Sequence, residues 1–263
     1  MNAKATIGII GGSGIHEILS DSEVITVKNP YGKTSSPVRI GKIGGKSVVF
    51  ISRHGKDHSI PPHLVNYRAN VYALHKLGVT NLIASGAVGS LRRKMKPGDI
   101  VITDQFIDRT KGRQDTYIQG PAVEHLAAAD LYCDRLRELA IQTCRKLGYT
   151  CHQSGTVVVI NGPRFSSRAE SEWFKKMGWD ILSMTQYPEN VLAAELGMCY
   201  CNIGLVTDYD AGLEGEPGVK PVTWEQIKKI LESNAGKFKE IVATLVKKLP
   251  ETKSTPCPAC SRD

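Results

Sequence analysis

No stretch of this sequence approaches the roughly 20 consecutive apolar residues that a membrane-spanning helix needs. Residues 1–6 lead straight into an apolar run, leaving no room for a secretory leader, so the expectation is a soluble, cytoplasmic protein. Aromatic residues are scarce, at 6% of the chain, and they do not interleave with a basic stripe as single-strand nucleic-acid binders require. The formal charge of +8 does not reverse that reading. Much of the excess sits at Lys228, Lys229, Lys237, Lys239, Lys247 and Lys248, interspersed with apolar residues at helical spacing, which is the pattern of a solvated helix face. What remains favours small anionic ligands over nucleic acid or a membrane surface. Internal repeats, low-complexity tracts and linkers are missing as well.

Two common nucleotide signatures are also missing. The apolar run Ile7-Gly8-Ile9-Ile10 ends in Gly11-Gly12-Ser13-Gly14, but no G-x-G-x-x-G fits these glycines and no Gly-Lys-Ser/Thr follows. The stretch is either a tight strand-to-loop turn or a place where backbone N–H groups approach an anion. Seven cysteines make an odd number, and no zinc-ligand spacing links them. Cys257-Pro258-Ala259-Cys260 is a lone C-x-x-C in a polar tail, and Cys199 and Cys201 fall on one side of a strand. Sequence leaves open whether Cys133, Cys199, Cys201, Cys257 and Cys260 enter disulfides.

The 263 residues, 41% hydrophobic and 23% charged, suffice for a sizeable core. Apolar, β-branched runs alternate with helical patterns over 48–52, 66–77, 81–84, 100–103 and 130–147, then 155–160, 168–177, 181–184, 189–196, 199–207 and 223–249. That alternation predicts an α/β fold, a single-domain three-layer αβα sandwich around a central mixed sheet. The domain spans residues 1–250, followed by a polar tail over 251–263. Ser167 with Glu170 and Thr223 with Gln226 mark two helix starts as capping boxes.

Ligands of open α/β sheets bind in crevices at strand ends, so the polar stretches there form the candidate site. Arg53 and His54 follow a strand and can grip a phosphate through the guanidinium fork and the imidazole, or serve as an ion pair and a packed histidine. Residues 84–90 read as a small-residue loop offering backbone N–H groups, or as a close-packing segment. Phe165 can stack on a planar ring or join the core. Ser183-Met184-Thr185 closes a strand with hydroxyls and an adaptable apolar side chain. Asp208 and Asp210 emerge where an apolar strand ends, and burial there raises a carboxyl pKa. A protonated carboxyl donates and an ionised one accepts, so the pair can read a ring nitrogen and an exocyclic amine of one heterocycle. A divalent metal is the lesser alternative, since no third carboxylate accompanies them.

Gly11-Gly12-Ser13-Gly14, Arg53-His54-Gly55, the block from Gly162 through Pro163, Arg164, Phe165, Ser166, Ser167, Arg168 and Ala169 to Glu170, and Asp208-Tyr209-Asp210 occur in this order. Together they resemble the 5′-methylthioadenosine phosphorylases of the trimeric purine nucleoside phosphorylase superfamily, over about residues 6–250. By position the resemblance implies a phosphate site of Ser13, Arg53, His54, Gly86, Ala87 and Thr185. It also implies a nucleoside site of Phe165, Ser166, Met184, Asp208, Tyr209, Asp210 and Trp224, completed by His125 from a neighbouring subunit. Asp208 is the implied catalytic acid at the purine N7, and Asp210 accepts from the amino group. The implied reaction is phosphorolysis of 5′-methylthioadenosine by inorganic phosphate as co-substrate, with no cofactor and no metal, in a homotrimer or a dimer of trimers. A 6-oxopurine or methylthioinosine phosphorylase is the nearest alternative, and a non-catalytic nucleotide-binding module a more distant one. Two positions depart from the resemblance: Gly86 replaces a hydroxyl residue, and Trp224 replaces a smaller apolar one.

Overall fold

The computed structural model describes residues 5–12, 18–19, 21–121 and 123–251. In chain order the strands are β1 (Ile7–Gly11), β2 (Ser22–Ile25), β3 (Val38–Ile43), β4 (Lys46–Ser52), β5 (Asn81–Ser90), β6 (Ile100–Ile102), β7 (Gln105–Arg109), β8 (Cys151–His152), β9 (Thr156–Ile160), β10 (Ile181–Ser183) and β11 (Cys199–Tyr209). The helices are α1 (Tyr67–Lys76), α2 (Asp134–Lys146), α3 (Arg168–Lys176), α4 (Gln186–Glu195) and α5 (Trp224–Lys248).

Successive side chains of a strand point to opposite faces, and the central strands are apolar on both. Ile7, Ile9, Val48, Phe50, Cys199, Cys201, Ile203 and Leu205 pack with residues of α2 and α5 in one core. Ile10, Val49, Ile51, Leu82 and Tyr200 pack with residues of α1 and α4 in another. These two cores make the three layers that the alternation predicted, and the placing of Cys199 and Cys201 on one face holds. Among the described residues, no helix is long and apolar enough to cross a membrane.

One path through the sheet runs β2-β3-β4-β1-β5-β10-β9-β7. Strand β11 lies parallel along the whole of β5, from Asn81 to Ser90. The other edge of β5 is shared: β1 pairs with it in parallel from Asn81 to Ala84, and β10 antiparallel at Gly89 and Ser90. Between those pairings the sheet splits beside Ser85, Gly86, Ala87 and Val88, and the split opens the crevice described below.

Residues 84–90, expected as a loop, are therefore the last seven of the ten residues of β5. Their small side chains let neighbouring elements close in, and the continuous pairing with β11 overrides weak strand propensity. Strands β2, β3 and β7 escaped the sequence reading because charged residues interrupt their alternation and much of their surface is exposed. Helix α3 carries the full capping box, with Ser167 and Glu170 each bonding the other's backbone N–H. At α5 only half of it forms: the Thr223 hydroxyl accepts from the Gln226 N–H at 3.3 Å.

Candidate active site

A cavity of about 480 Å³ opens at the split in the sheet. Arg53, His54, Gly86, Ala87 and Thr185 line one end and Asp208 and Asp210 the other, and Phe165, Met184 and Trp224 complete the wall. These side chains come from the ends of β4, β10 and β11, the second half of β5, the approach to α3 and the first residue of α5.

Arg53 builds the anion end, and it is fully buried. The Nε and Nη2 groups donate to the two carboxylate oxygens of Glu189, the latter at 2.8 Å, and Nη1 donates to the Ser85 carbonyl at 2.7 Å. Burial opposes the positive charge, but the Glu189 carboxylate outweighs it and holds the guanidinium charged. The chain of β1 arrives at the same point. A Cβ on Gly12 would lie 2.3 Å from the Ser85 carbonyl oxygen and 2.5 Å from Arg53 Nη1, so only glycine lets this backbone pass. The Gly12 N–H donates to Ser85 Oγ at 3.2 Å. Ser13, expected in the phosphate site, lies outside the described residues, as do Cys257 and Cys260.

Gly86 is a different case. A Cβ there would stand 3.9 Å from both Arg53 Nη1 and Thr185 Oγ1, an ordinary contact with room for a side chain. The position faces the space between guanidinium and hydroxyl.

His54 Nδ1 lies 2.9 Å from the Ile60 carbonyl oxygen. A carbonyl only accepts, so Nδ1 carries the proton of this bond. The His54 ring stacks on His58 at 4.2 Å, and His58 meets the Trp224 ring at 5.6 Å, so three rings run from the anion end to the exposed indole. Asp57 and His58 have φ of 54° and 57°, the only positive values among the described non-glycine residues, and backbone of this kind concentrates at binding sites.

At the opposite end, β11 departs from regular pairing. Val206 pairs with Val88 and Asp208 with Gly89, so Thr207 is an extra residue. Such a bulge re-aims the side chains that follow it. The carboxylates thus do not trail from a finished strand: Asp208 belongs to β11, and Asp210 follows one residue beyond its end. Burial pushes the Asp208 carboxyl up to about 7, with the Thr207 hydroxyl opposing and Asp210 adding to the rise. The Thr207 hydroxyl donates to Asp208 Oδ1 at 2.6 Å. Burial also raises Asp210, against the nearby Ser171 and Ser166 hydroxyls. Asp210 Oδ2, at the cavity wall, is buried without a hydrogen-bond partner, which marks this end as suited to a polar ligand.

Phe165, 36% exposed, is an apolar plate in the wall of the same cavity. Met184 is fixed by its backbone, whose carbonyl accepts from Arg113 Nη2 at 2.8 Å. Trp224 is 47% exposed, and Ile227, one helical turn on, is the other α5 residue in the wall.

Three expected site residues do not line this cavity. Tyr209 turns outward, with its ring beneath the Arg93 guanidinium at 5.3 Å and its hydroxyl donating to the Arg93 carbonyl. Ser166 sits buried behind the lining. His125 is exposed and does not line the cavity of its own chain. Sequence reasoning in turn missed His58, Ile227 and Glu189. Ile227 was within reach as the helical neighbour of Trp224, whereas nothing local marked Glu189.

The family model described as Phosphorylase superfamily matches residues 6–247. An S-methyl-5′-thioadenosine phosphorylase of Thermofilum pendens is 51% identical, over 97% of this chain and 96% of that protein. One from Pyrococcus horikoshii is 49% identical over 95% of each. Among solved structures, methylthioadenosine phosphorylase from Schistosoma mansoni in complex with adenine superposes with a TM-score of 0.86 at 37% identity, covering 93% of this chain and 91% of that one.

Proposed function

The chain belongs to the phosphorylase superfamily, and from that premise we propose that it catalyses phosphorolysis of 5′-methylthioadenosine to adenine and 5-methylthioribose 1-phosphate. The single observation that carries the reading is one cavity with a buried, charged guanidinium at one end and a carboxyl held near neutrality at the other. The names of the relatives point the same way.

In this reading phosphate sits among Arg53, His54, Gly86, Ala87 and Thr185, and Ser13 is the further phosphate residue that the resemblance implies. The ribose lies over Met184 and the purine against Phe165. Breaking the N-glycosidic bond places positive charge on the sugar and negative charge on the departing base. The phosphate stabilises the first and attacks C1′ from a fixed position. Asp208 donates its proton to N7 as the base leaves, and a pKa near the working pH suits that role. Asp210 accepts from the 6-amino group, and Ser166 supports it from behind. The chemistry asks for no metal and no organic cofactor.

The reading extends to a cytoplasmic homotrimer or dimer of trimers serving purine and methionine salvage. His125 stands on an exposed segment and does not reach its own cavity, which supports its covering a neighbour's site instead. One assay tests the scheme: methylthioadenosine and inosine, each with and without phosphate. Adenine release that depends on phosphate is expected. Cleavage at the same rate without phosphate would overturn it, and a preference for inosine would favour the 6-oxopurine reading.

A further inference from the structure

Glu189 lies on α4, on the side of Arg53 away from the cavity, and has no solvent exposure. Both of its carboxylate oxygens accept from Arg53, in the side-on arrangement that fixes a guanidinium plane. The arrangement continues inward. The Tyr200 hydroxyl donates to Glu189 Oε2 at 3.1 Å, and Asn202 Nδ2 donates to the Tyr200 oxygen at 3.4 Å. Tyr200 and Asn202 belong to β11, the strand that also carries Asp208.

We infer that Glu189, braced by Tyr200, is the positioning residue that aims Arg53 at the attacking phosphate. The inference rests on the phosphorolytic reading of the same site. Of the five N–H donors of Arg53, the one on Nε, one on Nη1 and one on Nη2 are spent on Glu189 and the Ser85 carbonyl. The bonds that anchor the plane thereby fix the direction of the two that remain, on Nη1 and Nη2. Nη1 borders the Gly86 position, 3.9 Å from where a Cβ would stand. A buried ion pair is a poor device for stability, because apolar residues of similar volume fill the space at equal or lower cost. Its use here is directional. Glu189 also cancels the charge of Arg53, so the cradle holds an anion through aimed hydrogen bonds more than through net charge.

Glu189→Gln tests the assignment. The amide keeps the shape but presents N–H groups where one carboxylate oxygen accepted, leaving an Arg53 donor unpaired. KM for phosphate is expected to rise by about tenfold or more, while KM for the nucleoside stays within about twofold. The rise in melting temperature that inorganic phosphate produces without nucleoside should shrink in parallel. Glu189→Asp, which keeps the carboxylate, should recover part of the loss. Tyr200→Phe removes one brace and should raise KM for phosphate by about two- to fivefold, and it carries the test if Glu189→Gln does not fold. Equal losses for both substrates, or an unchanged phosphate-induced melting shift, would overturn the inference. If the wild-type protein binds phosphate but cleaves without it, the functional reading fails while the melting experiment still judges Glu189.

Discussion

Replacing Asp208 by asparagine should make the protein slower and more stable at once. The side chain is isosteric, and the amide oxygen can keep the 2.6 Å bond from the Thr207 hydroxyl. What disappears is a carboxyl that folding moves from an ordinary 3.8 to about 7. Below about pH 4 the carboxyl is protonated in both folded and unfolded chains and contributes no difference. Between about pH 4 and 7 the unfolded chain ionises while the folded one does not, so the parent loses stability as pH rises. Above about pH 7 both are ionised, and the native state carries a cost on the order of 4 kcal/mol. The Asp208→Asn variant escapes that cost. Its melting temperature should match the parent near pH 4 and exceed it by on the order of 10 °C at pH 8. Turnover should fall by about a hundredfold to a thousandfold, the contribution of a positioned general acid. The parent's turnover should decline as pH climbs through about 7, and the variant's should be flat there. Adenine release across pH, set beside melting curves in the same buffers, measures both. A variant that melts no higher than the parent at pH 8 would refute the raised carboxyl, and one with full turnover would refute its role as acid.

Gly12→Ala should abolish phosphate-induced stabilisation, because the new methyl collides with the Ser85 carbonyl and the Arg53 guanidinium. The cost in stability should be about 1–3 kcal/mol, and a variant with normal phosphate KM would show that the backbone relaxes freely. Gly86→Ser should act in the opposite direction. Its hydroxyl has room between Arg53 and Thr185, so KM for phosphate should fall about two- to tenfold, the worth of one added hydrogen bond. A rise would mean that the space is needed by the anion itself.

Most of this organisation was legible in the sequence where residue type alone decides chemistry. The αβα layering followed from alternation, and Arg53, His54, Thr185, Asp208 and Asp210 stand together because each lies where a strand gives out or, for Asp208, bulges. The rest depended on pairing in three dimensions. Residues 84–90 are small and turn-like in composition, and only the company of β11 makes them a strand. Tyr209 sits between two aspartates that line the cavity, but the chain after the Thr207 bulge turns its ring to Arg93. Glu189 looks like any helical glutamate until the fold brings it against Arg53, 136 positions away in sequence. Charge neutralisation across that distance leaves no periodic or local trace.

The shared edge of β5 has a mechanical consequence. Arg53 and Thr185 reach the cavity from elements attached along one side of this strand, through β1 and β10, and the strand that carries Asp208 runs along the other. Neighbouring strands keep a separation of about 4.8 Å that hydrogen bonding makes stiff. Along β5 itself, Gly86 faces Arg53 and Thr185 while Gly89 faces Asp208 and Asp210, so the two ends of the cavity are spaced by the pitch of one strand, roughly 3.3 Å per residue, like marks on a ruler.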